Sequence, residues 1–197
     1  SSLETTAMSP RGKFATDIAV LIYGDYPHLT DRCLRPLVKL RDAGVDVRVY
    51  ANEPSDASMS AAVGLGFSPK IYVPQVYKYP VLSEAIASTQ SKFFMWFDDD
   101  SFIRAADPIS WLTKLELVAA STKADLMGSV YTIDLGPGQA DWVKTRPWYR
   151  GKPIKPKPAF VTGGWWMARM DFLRSLGWPD PQLRHNGGDV MLGLACQ

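Results

Sequence analysis

The segment from Lys92 to Phe97 (KFFMWF) is almost wholly apolar, and Asp98, Asp99, Asp100 and Ser101 follow it at once. A run this short and this apolar is a strand covered on both faces, because a half-exposed strand would alternate apolar with polar residues. Such an element needs helices above and below it, and the sequence supplies them. Asp17–Tyr23 (DIAVLIY) is another short, β-branched run, stopping at Gly24. The spacing of Leu34, Leu37, Val38 and Leu40 predicts a helix from Thr30, as its cap, to Ala43, with Gly44 as the stop and Pro36 in the first turns. Val45–Ala51 (VDVRVYA) reads as the next strand and Asp56–Val63 as the next helix. Lys70–Val73 and then Val81–Thr89, its start set by Pro80 and Ser83, repeat the unit. This alternation implies an α/β fold, a mostly parallel central sheet flanked by helices, with ligands beyond the carboxyl ends of the strands. Gly24, Asn52, Glu53 and Asp98–Asp100 then share one rim.

The second half reads as a helix over Ile109–Ser121, a strand over Asp125–Tyr131 and a long Gly-, Pro- and Lys-rich loop over residues 136–158. A further apolar segment starts at Phe160 (FVTGGWWMARMDFLRSLGW), and HNGGDVMLGLACQ closes the sequence. At 197 residues, 46% hydrophobic and 21% charged, the chain suits one domain over residues 1–197, with 1–14 as a flexible lead. A net charge of +2 argues against a strong global attraction to nucleic acid or membrane, so an electrostatic partner must be met by a local patch. Two cysteines are too few for a disulfide framework and favour a reducing, cytoplasmic setting. The sequence contains no apolar run of about 18 residues, the length of a membrane span.

Four features could carry chemistry. Three adjacent carboxylates at the end of a buried strand repel one another and need a cation or strong donors to stay ionised. A hard divalent ion with oxygen ligands answers that need and could bridge the two phosphates of a nucleotide sugar; a solvated acidic turn is the plainer alternative. In Asn186-Gly187-Gly188-Asp189, two glycines permit close approach to a ligand, and Asp189 suits either a general base or an ordinary helix cap. Thr162-Gly163-Gly164-Trp165-Trp166 offers two aromatic rings, of which one is expected to face a sugar and the other to be core. Between Trp142 and Pro158 stand six Lys or Arg and no acid, interleaved with Trp148 and Tyr149. That stretch suits a lid over an anionic donor, a phosphorylated or nucleic-acid acceptor, or simply a solvated loop.

Together these features resemble glycosyltransferases of the GT-A fold over most of the chain. Tyr23–Leu40 (YGDYPHLTDRCLRPLVKL) is similar to the opening of family 2 transferases, with Gly24 where an Asn is usual. WFDDDSFI resembles the DxD motif, its triple form being most like the fringe and β-1,3-galactosyltransferase group. VTGGWWMARMDFLRSLGW is similar to the segment in both groups that runs from a Thr-Gly-Gly turn into a helix, and GGDVMLG resembles their Glu-Asp motif, with Gly188 where an acid often stands. The resemblance implies Asp98 and Asp100 as metal ligands for Mn2+ or Mg2+, and Asp189 as the base that deprotonates an acceptor hydroxyl. It further implies a donor site, expected to take a UDP-sugar, at Tyr23, Gly24, Asn52, Glu53, Lys78 and Asp98. Gly164, Trp165, Trp166 and Asn186 would meet the acceptor, a glycan, glycoconjugate or other hydroxyl-bearing molecule. In many GT-A enzymes a later His completes the metal shell, whereas His185 here precedes the motif. Inverting transfer is the expectation, and a non-catalytic sugar- or nucleotide-binding module on the same fold is the alternative.

Overall fold

The computed structural model describes residues 13–147, 149–184 and 188–196. Its centre is a six-stranded sheet of β1 (Thr16–Tyr23), β2 (Val47–Asn52), β3 (Lys70–Tyr72), β4 (Phe93–Asp98), β5 (Leu126–Thr132) and β6 (Ala159–Arg169), in the order β3-β2-β1-β4-β6-β5. Pairs β1–β2, β1–β4 and β2–β3 are parallel, while β6 runs antiparallel to both β4 and β5. Thus β6 alone opposes the other five strands, and its amino end arrives at the rim where they finish.

Every side chain of Ile18–Ile22 and Phe93–Phe97 is buried, as two-sided coverage requires. Strand alternation divides them between two cores. Ala19, Leu21, Phe94, Trp96 and Trp166 pack beneath α3 (Lys78–Ser88), α6 (Met170–Leu176) and α7 (Gly188–Ala195). Ile18, Val20, Ile22, Met95, Phe97 and Met167 pack against α1 (Pro27–Asp42), α2 (Asp56–Gly64) and α4 (Pro108–Thr122). Leu34, Leu37 and Leu40 of α1 are fully buried, each worth about 1.5–3 kcal/mol of transfer from water.

Three local expectations are corrected. Helix α1 begins at Pro27 behind Tyr26 rather than at Thr30, so Thr30 is buried within it and Pro36 sits in its middle rather than its first turns. Helix α3 begins at Lys78, three residues before Val81, which brings Lys78 and Tyr79 into its first turn. The Thr162-Gly163-Gly164 stretch is not a turn but part of β6. The 136–158 loop also contains α5 (Gln139–Lys144), whose Val143 is buried in the core below α7. Both cysteines are free, Cys33 buried and Cys196 exposed. Among the described residues no helix is long and apolar enough to cross a membrane.

Candidate active site

The rim is built from strand ends and the first turns of helices. Asp98 is the last residue of β4, and alternation points it to the α3 side of the sheet, after Phe94 and Trp96. There its Oδ2 accepts from the Lys78 ammonium at 2.5 Å and its Oδ1 from the Trp96 indole N–H at 2.9 Å. Burial holds the Asp98 carboxyl above its ordinary range, and Lys78 and Trp96 pull the other way. Lys78, expected among the donor contacts, is therefore the ion-pair partner of the first carboxylate of the triplet.

Asp99 points to the opposite face, where it is buried and accepts the backbone N–H of Tyr23 at 3.1 Å. Burial, and then the neighbouring carboxylates, push its pKa up to about 6. Asp100 is exposed, and the Ser101 hydroxyl approaches it at 3.4 Å. A Cβ added to Gly164 would meet that same hydroxyl, so β6 comes close to the acidic turn there.

Among the described residues no group of three or more His, Cys, Asp or Glu is disposed to hold a metal ion. Each oxygen of Asp98, expected as a metal ligand, accepts one protein hydrogen bond, from Lys78 and from Trp96. Asp100 is the carboxylate of the triplet turned to solvent. One carboxylate with the phosphates of a bound substrate is a sufficient donor set for a Mg2+-like ion, so Asp100 fits that kind of site and not an all-protein cage.

Asn52, expected near a nucleotide base, is 1% exposed and spends its amide on the backbone of Val76. Its Nδ2 donates to the Val76 carbonyl at 2.5 Å and its Oδ1 accepts from the Val76 N–H at 3.1 Å, which fastens the 73–77 loop to the end of β2. Glu53 is exposed beside it with φ 42°, and Gly24 turns at φ 45° with its N–H on the Asn52 carbonyl. Tyr23 lies close enough for Asp98 and then Asp99, after burial itself, to hold its phenol above the ordinary range.

Asp189 stands in the first turn of α7, partly exposed, with one oxygen accepting its neighbour Val190's N–H at 2.9 Å. Among the described residues it has no ion-pair partner. Tyr79, next to Lys78 in the first turn of α3, packs against Gly188, the residue before Asp189, and its phenol is raised by burial first and then by Asp189 and Asp98. Sequence reasoning missed Tyr79. An aromatic in a helix's first turn carries no signal of such a role.

Neither expected tryptophan is an open platform. Trp166 is 2% exposed, 5.5 Å from Phe94 and 5.6 Å edge-on from Trp178, and is corrected from an acceptor contact to core. Trp165 points to the other face, stacked 6.4 Å from Phe97, and keeps partial exposure. Asn186 and His185 lie outside the described residues. The basic 142–158 run is largely tied down: Arg146 bonds Asp180 and Gln182, Arg150 bonds the Pro147 and Ser175 carbonyls, Lys144 pairs with Asp141 and Lys157 with Asp134.

No family model matches this sequence, and no curated protein matches it either. Solved structures do match. A mannosyltransferase from Pyrobaculum calidifontis, PcManGT, in complex with GDP-Man and Mn2+, superposes with a TM-score of 0.59 at 12% identity over 95% of this chain and 53% of that one. TarS 1–349 of S. aureus gives 0.55 at 14% identity over 91% of this chain and 54% of its own. The chain spans about half the length of each. At such identities the likeness is one of fold, and the fold is GT-A.

Proposed function

We propose that this chain carries the catalytic core of a nucleotide-sugar-dependent glycosyltransferase working with inversion. The observation that carries the proposal is the first turn of α3 at the carboxyl end of the parallel strands, where Lys78 pairs with Asp98 at 2.5 Å and Tyr79 packs against Gly188, the residue before Asp189. In the proposed reaction an acceptor hydroxyl gives its proton to Asp189 while its oxygen forms a bond to the anomeric carbon. The bond from that carbon to the diphosphate breaks, and its electron pair leaves with the diphosphate. Lys78 sets a cationic group at the end of β4, where charge on the diphosphate would develop. A divalent ion, Mn2+ or Mg2+, held by Asp100 and the donor phosphates would supply further neutralisation.

Gly24 and Glu53 remain as candidates for the donor side, and Gly164 and Trp165 for the acceptor side, the acceptor being a glycan, glycoconjugate or other hydroxyl-bearing molecule. The resemblance of the triple Asp to the fringe group favours UDP, whereas the ligand of the Pyrobaculum enzyme brings GDP into consideration. Calorimetry and nucleoside diphosphate release with UDP-glucose, UDP-galactose and GDP-mannose, with and without Mn2+, test the proposal. Expected is binding of one donor, slow release of its diphosphate, and loss of release by at least about 100-fold in Asp189→Asn with binding retained. Release at the wild-type rate in Asp189→Asn removes Asp189 as the base. Binding without release favours a binding module instead, a reading for which the prior neutralisation of Asp98 by Lys78 speaks. Failure to bind any donor refutes both.

A further inference from the structure

We infer that Tyr79 is a positioning residue of this site, its phenol oxygen anchoring the first turn of α7 so that Asp189 is held toward the end of β4. The inference rests on the function proposed above. The first N–H groups of a helix have no partner inside it. At α7 the Tyr79 hydroxyl lies directly against Gly188, where an added Cβ would stand 2.3 Å from the phenol oxygen, which puts that oxygen beside the N–H groups of the first turn that lack a partner inside the helix. The ring that carries this hydroxyl is 4% exposed and meets Trp178 edge-on at 6.0 Å and 82°. Its backbone is fixed as well, since the Tyr79 N–H donates to the Arg184 carbonyl at 3.1 Å. The anchor is therefore rigid before α7 is considered.

The sequence around Asp189 is matched to this anchor. A Cβ added to Gly188 would fall within the Tyr79 ring, so a side chain at 188 and the ring at 79 exclude each other. Glycine at 188, where related motifs place an acid, thus admits the ring, and the phenol fills the space a side chain would have used. Lys78 and Tyr79 are consecutive in the first turn of α3, one bonded to Asp98 and the other packed against the backbone that presents Asp189. A single turn of helix therefore fixes the spacing between the two acidic halves. A tyrosine serving only as core would need no hydroxyl at that spot.

Tyr79→Phe keeps the ring and removes the acceptor. Expected are amides of Gly188 and Asp189 that exchange with solvent at least about 10-fold faster than in the wild type, with amides of β1 and β4 unchanged. With the donor identified from the three nucleotide sugars above, kcat should fall about 10- to 100-fold at a donor KM within about twofold of wild type. Gly188→Ala, which displaces the ring, should produce the same split between kcat and KM. Unchanged amide exchange in Tyr79→Phe overturns the inference, whatever the activity. Faster exchange with unchanged kcat overturns the positioning role and leaves only the hydrogen bonds. A large loss in Asp189→Asn with none in Tyr79→Phe keeps the proposed function and refutes this inference alone. A wild-type chain that binds and turns over none of the three donors refutes both.

Discussion

Replacing Lys78 by Met probes how a carboxylate is kept at the end of a buried strand. Methionine retains the length and apolar stem of the side chain and removes the ammonium that lies 2.5 Å from Asp98, in a pair whose side chains are 11% and 20% exposed. Removing one partner of a buried pair costs about 3–5 kcal/mol, because the other charge stays behind without compensation. Asp98 keeps the Trp96 indole N–H and some contact with water, which sets the expected loss at the lower end, about 3 kcal/mol. In a chain of 197 residues this corresponds to a fall in Tm of about 6–12 °C. The dependence on pH separates this cause from ordinary loss of packing. Burial already raises the Asp98 carboxyl, with Lys78 as the largest opposing influence, so the variant raises it further. A carboxyl whose folded pKa exceeds its unfolded value contributes stability that is complete at low pH and lost as pH rises through the folded pKa. The deficit of Lys78→Met is therefore largest near about pH 8 and shrinks toward about pH 5. Adding Asp98→Asn should recover most of it at the higher pH. Urea denaturation followed by tryptophan fluorescence at both pH values measures the wild type, the single variant and the double variant. A deficit that does not change with pH, or a double variant no more stable than Lys78→Met, would refute the reasoning.

Two further outcomes follow from neighbouring side chains. Asp99 is displaced upward to about 6 by burial, so its ionisation costs stability as pH rises through that value. Asp99→Asn, which can still accept the Tyr23 N–H, should be more stable than wild type by about 1–2 kcal/mol at neutral pH after allowance for solvent at the rim, with no difference near about pH 4. Thermal melts across that range check it, and a variant less stable at neutral pH contradicts the account. Asn52→Ala strips Val76 of both bonds from the Asn52 amide and should cost about 2–3 kcal/mol. Faster chymotryptic cleavage at Tyr77 is the local readout, and unchanged cleavage would show that the 73–77 loop is held by other means.

Much of this architecture is legible in the amino-acid order because the physics that produces it is local. The β-branched run ending at Tyr23 and the apolar run ending at Phe97 are strands whatever surrounds them, and the helix read over Ile109–Ser121 is α4, whose cap, Asp107 bonding the N–H groups of Ile109 and Ser110, sequence reasoning missed. Helix α1 begins earlier than the sequence suggests because Tyr26 makes no side-chain cap, leaving only Pro27 as a signal, and Thr30 imitates a cap it does not form. The glycines at 163 and 164 resemble a turn, yet they lie in β6, whose pairing with β4 and β5 is decided by residues far away in sequence. The site divides in the same manner. The acidic triplet and Asp189 can be picked out from composition and spacing alone. Which of their oxygens are open, and that Asn52 is spent on Val76 and Trp166 on the core, are set by contacts with residues more than a helix away, and no local pattern encodes them.

The reversed direction of β6 has a consequence for how proteins of this architecture could diverge. Because β5 ends and β6 begins side by side, with Thr132 paired to Ala159, the connection between them leaves and re-enters the sheet at a single doorway on the rim. A second tie, from the Leu135 N–H to the Pro156 carbonyl, closes that doorway just above the sheet. Val143 and Arg146 tie the middle of the connection to the core and to Asp180, so its length can change without moving a strand at exposed stretches such as residues 137–138, where each doubling of a flexible loop costs only about 0.6 kcal/mol. The fold thus keeps a stretch of adjustable length on the rim where β4 delivers Asp98, and the surface of that rim can change while the strands remain as they are.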